Sequence, residues 1–318
     1  MPGLGTTFGR GAATTSQWEM ANSDCIVIMG SNMAECHPVA FRFPMQAKTR
    51  AENPAMLIHI DPRFTRTSAM CDMHVPIRAG SDIVFLGALV NHILNSPRWN
   101  TDPFFKEYVV NYTNAPVLIN EKFQDTEDLD GLFSGWDAQA KKYDTSSWTY
   151  AKAAGADQPG PFEQAIERTW GKPGANAARP DAPLDETLQD PRCVLQILKR
   201  HYARYTPEMV QRVCGAPADS VQKVGDALLN NSGRDKTSGF CYAVGWTQHT
   251  TGVQMIRTAA LIQALLKPKS FSFPPRECRK RAAALPTRSA YCNGMTKRLN
   301  PPATRATKTG SCTNSLRA

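Results

Sequence analysis

The 318-residue sequence has no run of about 18 apolar residues, so no segment of it reads as a helix that crosses a bilayer. Its nine cysteines, at positions 25, 36, 71, 193, 214, 241, 278, 292 and 312, form no CxxC pair. They also form no cysteine/histidine cluster with zinc or iron–sulfur spacing, and their odd number argues against a disulfide framework. Cys25 and Cys241 fall in apolar runs and read as small buried hydrophobes. The opening Met1-Pro2-Gly3-Leu4-Gly5 lacks the charged and apolar regions of a signal peptide. GxGxxG, the phosphate loop GxxxxGKS or GxxxxGKT, the GxSxG elbow and HExxH are all missing, and no carboxylate pair stands out as acid and base. These absences remove the usual sequence signatures of dinucleotide enzymes, P-loop NTPases, serine hydrolases, zinc proteases and glycosidases. His37, His59, His74 and His249 stand apart from any nucleophile and read as structural histidines.

Acidic residues are nearly missing from one segment. Residues 267–318 hold twelve Lys and Arg but a single acid, Glu277, which leaves 25 basic and 27 acidic side chains in residues 1–266. The basic excess behind the formal charge of +9 is therefore confined to the tail, and the body is close to neutral. With Pro274-Pro275, Pro286 and Pro301-Pro302 and neither helical nor strand periodicity, 267–318 is expected to be a disordered basic tail. Such charge raises nucleic acid as a partner, but no aromatic–basic interleaving or binding module accompanies it, so nucleic acid is not the expected partner.

What the sequence does contain is a βαβ signature. Ile26-Val27-Ile28-Met29 breaks into Gly30-Ser31-Asn32, and Leu57-Ile58-His59-Ile60 ends in Asp61-Pro62-Arg63, with Pro38–Thr49 supplying a crossover helix between them. Strands are expected at 25–29, 56–60 and 73–77, with a turn through Thr65–Ala69. A helix over about 82–95 is expected to start at Gly80, with Ser81 or Asp82 capping its free N–H groups. Residues 120–190 lose all apolar period and read as a loop-rich insertion anchored by Trp136, Trp148, Tyr150 and Trp170. From 191 to 266 helices return, with Thr206-Pro207-Glu208 as a helix start and 218–229 as an amphipathic stretch. Phe240–Val244 then reads as a buried strand before a helix at 252–266. The fold class is α/β: a doubly wound, mostly parallel sheet flanked by helices, with the insertion and the tail added. Its segments are 1–119, 120–190, 191–266 and 267–318.

Ligands of such sheets sit at the carboxyl ends of the strands. Anionic nucleotides need backbone N–H donors, glycines that admit phosphate, and side chains that bond sugar hydroxyls or a base edge. Gly30, Asn32, Glu35, Asp61, Arg63, Gly80, Ser81, Asp82, Gly245 and Gln248 stand at such places. Each has a plainer reading as well: Asp61-Pro62 as a turn initiator, Ser81/Asp82 as a helix cap, Gly30-Ser31-Asn32 as a tight loop. Trp246 reads as a packing residue, or as a flank for a planar base at a loop mouth.

Laid out in order, these motifs resemble the catalytic (alpha, or major) subunit of respiratory formate dehydrogenases, in the molybdopterin oxidoreductase (dimethyl sulfoxide reductase) superfamily. The resemblance rests on Phe8-Gly9-Arg10-Gly11-Ala12, on IVIMGSNMAECHP at 26–38, on Ile60–Arg66 and Pro76–Gly87, and on Tyr108–Thr113. It continues through Gly131–Gly135, Ser146–Trp148, Pro191–Val194, Tyr205–Val210 and Tyr242–His249, and covers about residues 4–266. It implies a bis-molybdopterin guanine dinucleotide cofactor with molybdenum or tungsten, a selenocysteine or cysteine ligand, and oxidation of formate to CO2. Electrons would leave through a 4Fe–4S cluster to an iron–sulfur subunit and a membrane cytochrome subunit, in the periplasm. By the same resemblance, residues 1–119 are the dinucleotide-binding region. Gly30, Asn32, Glu35, Asp61, Pro62, Arg63, Gly80, Ser81 and Asp82 would hold one guanine dinucleotide arm. Gly245, Trp246 and Gln248 would lie near the pterin, and Arg10 and Gly11 would line the same cleft. The family's metal ligand with its neighbouring His, catalytic Arg and cluster cysteines have no counterparts here, so the expectation is a chain truncated at both ends and inactive alone. Two other readings stay open: a cofactor-free scaffold of the same superfamily, as in the NADH dehydrogenase large subunit, and a basic-tail nucleic-acid binder.

Overall fold

The computed structural model describes residues 2–8, 15–151 and 182–266. Arg10, Gly11, Trp170 and the tail 267–318 lie outside the described residues. After α1 (Pro2–Phe8), the chain enters β1 (Cys25–Met29), every residue of which is buried. A strand with no polar side chain on either face belongs in the middle of a sheet covered on both sides. β1 pairs in parallel with β2 (Met56–Ile60) on one flank, Cys25 opposite Met56 through Met29 opposite Ile60. On its other flank it pairs in parallel with β6 (Ser238–Cys241), and β2 pairs in parallel with β3 (Met73–Val75). The four-stranded order is β3-β2-β1-β6, so all four carboxyl ends face one edge.

Alternation along the strands sorts the core into two layers. Cys25, Val27, Met29, Ile58 and Ile60 face one cluster with Phe85, Leu86 and Leu89 of α5 (Asp82–Leu94). The same cluster takes in Val224 and Leu228 of the helix at Ser220–Asn230, and Ile262 of the helix at Gly252–Leu266. Ile26, Ile28 and Leu57 face Ala40, Phe41 and Ala47 of α3 (Pro38–Lys48), which follows the short α2 (Met33–Cys36). Helices therefore cover both faces. No described helix is long and apolar enough to cross a membrane.

Three boundaries differ from the sequence reading, each for a hydrogen-bonding reason. The expected turn through Thr65–Ala69 is a helix, α4 (Arg66–Met70), because Ser68 Oγ accepts the N–H of Thr65 at 2.9 Å and starts it. β3 stops at Val75 rather than 77, since Pro76 has no N–H to continue the ladder. β6 stops at Cys241 rather than Val244, because the carbonyl of Gly30 takes the N–H groups of Ala243 and Gly245 at 3.3 and 3.1 Å and bends the chain out of the sheet.

Beyond α5 the chain runs through α6 (Arg98–Thr101) and α7 (Pro103–Tyr112). Arg98 donates to the carbonyls of Leu229 and Ser232 and pairs with Asp102 at 3.0 Å, which pins the approach to β6. The described parts of the insertion are 120–151 and 182–190, and the first carries a minimal hairpin of β4 (Trp136–Asp137) and β5 (Lys142–Tyr143). Tyr150 ties it down, pairing with Ile119 and accepting from Asn114 at 2.8 Å. Trp148 ties the insertion to itself by donating Nε1–H to the Ser134 carbonyl at 2.8 Å, and with Trp136, Phe133 and Tyr143 it forms an exposed ring cluster. The hairpin has only two residues per strand, both exposed on each, so its rings have only one another to pack on.

The remaining described elements are α8 (Val194–Tyr202), α9 (Pro207–Cys214), α10 (Ser220–Asn230), α11 (Val244–Thr247) and α12 (Gly252–Leu266). As expected at α9, Thr206 caps the helix by accepting from Met209 N at 3.3 Å, ahead of Pro207.

Candidate functional site at the carboxyl edge of the sheet

Parallel pairing brings the loops after β1, β2, β3 and β6 to one edge, and the sequence-named residues of those loops come with them. Gly30 turns the chain with φ +67, and a methyl group there would meet the Trp246 ring at 2.7 Å. Gly245 lies against Gly30 so closely that a Cβ would stand 2.6 Å from the Gly30 carbonyl oxygen. The β1 and β6 loops are thus locked together through two glycines and an indole.

Trp246 is fully buried and does not flank an open mouth. Its ring stacks on Tyr242 at 5.1 Å, and its Nε1–H donates to Asp82 Oδ1 at 3.0 Å. Neither Ser81 nor Asp82 caps α5 as expected: Ser81 Oγ donates to the carbonyl of Arg78 at 2.6 Å, and the Asp82 carboxylate is spent on Trp246. Burial raises the Asp82 carboxyl above its ordinary value, and the Trp246 bond opposes that. Asp82 is therefore a buried strut between α5 and the β6 loop.

Asn32 and Glu35 pair with each other, and Asn32 Oδ1 also accepts from Thr67 Oγ1 at 2.8 Å. Glu35 faces Arg66 at 3.5 Å. After β2, Asp61 Oδ1 accepts the N–H of Arg63 at 2.8 Å, a tight turn in which Pro62 fixes φ. Among the described residues Asp61 Oδ2 makes no hydrogen bond, and its nearest basic neighbour is His59 Nε2 at 3.8 Å. Sequence reading did not single out Thr65, Thr67 or Ser68, although a run of hydroxyl residues at 65, 67 and 68 beside Asp61-Pro62-Arg63 was the available signal. His59 is a satisfied structural histidine, as expected, bonded to Ser68 and Ser31.

Several groups at this edge are unspent. The Arg63 guanidinium and the Gln248 amide make no side-chain hydrogen bond or ion pair among the described residues, and both are exposed. Thr65 and Ser68 close a capping box at the start of α4, so the Thr65 hydroxyl serves the helix. A Cβ on Gly80, which has φ +82, would meet nothing within 4 Å. An extended anion with hydroxyl and amide groups fits this set: open backbone, a guanidinium fork, an amide and a free carboxylate oxygen.

No cysteine belongs to a described group of metal-ligating side chains. The six described cysteines are unpaired. Burial pushes Cys25, Cys71 and Cys241 up to about 12, so none presents a thiolate. The one described group of metal-ligating types, Asp125, Glu127 and His201, lies between the insertion and α8. Arg204 already pairs with Glu127 there, and Arg200 stands 4.0 Å from Asp125. It borders a cavity of about 160 Å³ that none of the strand-end residues lines.

A family model described as molybdopterin oxidoreductase matches residues 4–270. Over 263 residues, 83% of the chain, the sequence is 44% identical to the formate dehydrogenase-O major subunit of Escherichia coli (strain K12), of which it covers 22%. It is 43% identical, with 83% and 22% covered, to the formate dehydrogenase 2 subunit alpha (cytochrome c-553) of Nitratidesulfovibrio vulgaris. A periplasmic nitrate reductase of Desulfovibrio desulfuricans is 32% identical over 145 residues, 44% of this chain and 17% of that one. The chain spans about a fifth of the length of these relatives.

Proposed function

Because the chain belongs to the molybdopterin oxidoreductase family, we propose that the carboxyl edge of its sheet holds one guanine dinucleotide arm of a bis-molybdopterin guanine dinucleotide cofactor. The observation that carries this reading is the set of unspent groups at that edge: Arg63, Gln248, Asp61 Oδ2 and the open backbone at Gly80. Arg63 supplies a planar fork for phosphate or for a base edge, and Asp61 Oδ2 accepts from a sugar hydroxyl or a base N–H. Gly80 lets the ligand approach main-chain N–H groups. Gly30, Asn32, Glu35, Ser81, Asp82, Gly245 and Trp246 act by holding the loops in shape, since their polar atoms are paired with the fold itself. Pro62 presets the turn that presents Asp61 and Arg63. When bound, the pterin supplies a molybdenum or tungsten centre for two-electron redox chemistry.

From the relatives' names we further propose that the chain serves the catalytic subunit of a formate dehydrogenase, oxidising formate to CO2. Its electrons would pass through a 4Fe–4S cluster to an iron–sulfur subunit and a membrane cytochrome subunit, in the periplasm. The scaffold reading has one observation on its side: the Trp246–Asp82 and Glu35–Asn32–Thr67 contacts complete themselves without a ligand.

GDP carries the guanosine and pyrophosphate of the arm and separates the two readings. Equilibrium dialysis should show saturable GDP binding by the full chain, weakened roughly tenfold by Arg63→Ala and by Asp61→Asn, the loss expected for one charge-assisted hydrogen bond. No saturable binding by the wild-type chain would favour the scaffold.

A further inference from the structure

His59 sits on β2 between Ile58 and Ile60, fully buried where a leucine or isoleucine would pack without polar cost. It lies on the same strand face as Leu57, the face that looks toward α3 rather than α5. Its two ring nitrogens have different partners, and those partners fix its tautomer. Nε2 lies 3.2 Å from the carbonyl oxygen of Ser31, which can only accept, so Nε2 carries the proton. Nδ1 is then the acceptor for Ser68 Oγ at 2.8 Å. Ser68 Oγ in turn accepts the N–H of Thr65 at 2.9 Å. The resulting chain is directional throughout, from the Thr65 N–H to the Ser68 hydroxyl to Nδ1, and from Nε2–H to Ser31.

Ser31 belongs to the loop after β1, while Thr65 and Ser68 belong to the loop and helix after β2. A parallel tie runs beside the first: Thr67 Oγ1 accepts from Ala34 N at 3.0 Å and donates to Asn32 Oδ1 at 2.8 Å. With its Nε2 proton committed to Ser31, His59 leaves Asp61 Oδ2, 3.8 Å away, outside hydrogen-bond reach.

We propose that His59 is a positioning residue for the guanine nucleotide, one that never touches it. As the Nε2–H tautomer it sets the separation of the Gly30–Asn32 and Asp61–Thr65 loops and keeps Asp61 Oδ2 free for a donor on the nucleotide. This rests on reading the edge as a nucleotide site, and the measurements below separate the two claims. The full chain, His59→Leu and Ser68→Ala are compared by GDP dialysis, by amide exchange at residues 30–35 and 61–67, and by imidazole 15N spectra. The expected result is a proton on Nε2 of wild-type His59. GDP affinity should fall about tenfold in His59→Leu and severalfold in Ser68→Ala, with faster exchange in both loops. Ile28→Val, which thins the same core layer without touching the chain of bonds, should lower the thermal midpoint and leave GDP affinity unchanged.

Unchanged GDP affinity in both latch variants, or a proton on Nδ1, would overturn the proposal. Should the wild-type chain bind no GDP, the nucleotide reading fails, and exchange alone judges the latch: unaltered protection of both loops in His59→Leu overturns it. Should His59→Leu not fold, Ser68→Ala decides by the same criteria.

Discussion

Asp82 and His59 are both buried at the site edge, and burial moves them in opposite directions on the pH scale. The Asp82 carboxyl is raised above 3.8 by burial, opposed by the bond from Trp246, so the folded chain binds its proton more readily than the unfolded chain does. Its contribution to stability therefore grows as pH falls through the raised folded value and is complete below 3.8. The His59 imidazole is lowered from 6.5, chiefly by burial, with Asp61 opposing. Its contribution is complete above 6.5 and is lost as pH falls from 6.5 through the lowered folded value. Urea midpoints followed by tryptophan fluorescence should show both effects: His59→Leu abolishes the loss below 6.5, and Asp82→Asn abolishes the gain on acidification. Asp82→Asn also keeps an acceptor for Trp246 Nε1–H, whereas Asp82→Ala leaves that buried donor unpaired. The alanine variant should be destabilised by about 1–3 kcal/mol relative to the asparagine variant.

Among the elements, the contact between the β1 and β6 loops is the one most sensitive to a single methyl group. A Cβ at Gly245 would stand 2.6–2.8 Å from the oxygen, Cα and carbonyl carbon of Gly30, all backbone atoms that cannot rotate away. Gly245→Ala must therefore part the loops and forfeit the N–H bonds of Ala243 and Gly245 to the Gly30 carbonyl, at a cost of about 1–3 kcal/mol. Gly80→Ala, with φ +82 but nothing within 4 Å, should cost only about 1 kcal/mol of backbone conformation. Denaturant unfolding of the pair distinguishes a steric from a conformational glycine. The same contact shows where sequence reading stops. β1, β2, α3 and α12 fall within a residue of their expected bounds, because each is set by its own apolar run or cap. The end of β6 is set by a carbonyl more than 200 residues earlier in the chain, which no local pattern at 240–244 records. The start of α4 hangs on a serine hydroxyl shared with a histidine from another element, which is also why the Thr65–Ser68 part of the site went unread. Strand-end residues were legible because parallel pairing sends every strand end to one edge. Their division into groups left open and groups spent on holding the loops was not, since it depends on partners such as Trp246 for Asp82.

At the scale of the molecule, residues 1–266 hold 25 basic and 27 acidic side chains, so this body offers no net electrostatic pull on an anion, and any such attraction has to come from local groups such as Arg63. One described surface away from the sheet edge is apolar. Phe133, Trp136, Tyr143 and Trp148 stand 36–58% exposed, with neighbouring ring centres 4.8–6.2 Å apart, and Leu132 beside them is 43% exposed. Clustered exposed rings of this kind bind apolar dyes and promote self-association, whereas single exposed apolar residues do not. The chain should therefore enhance ANS fluorescence in its folded state and sediment above monomer mass as concentration rises. Phe133→Ser and Trp136→Ser together should reduce both effects with little change in unfolding midpoint, because each ring already faces solvent. Trp148 is left intact in this test, since its Nε1–H holds the Ser134 carbonyl at 2.8 Å and its loss would loosen the insertion itself. Dye binding undiminished in the double variant would assign the apolar surface to Val39 and Phe64, 73% and 70% exposed on elements that border the sheet edge. GDP would then compete with the dye, which it cannot do for a patch on the insertion.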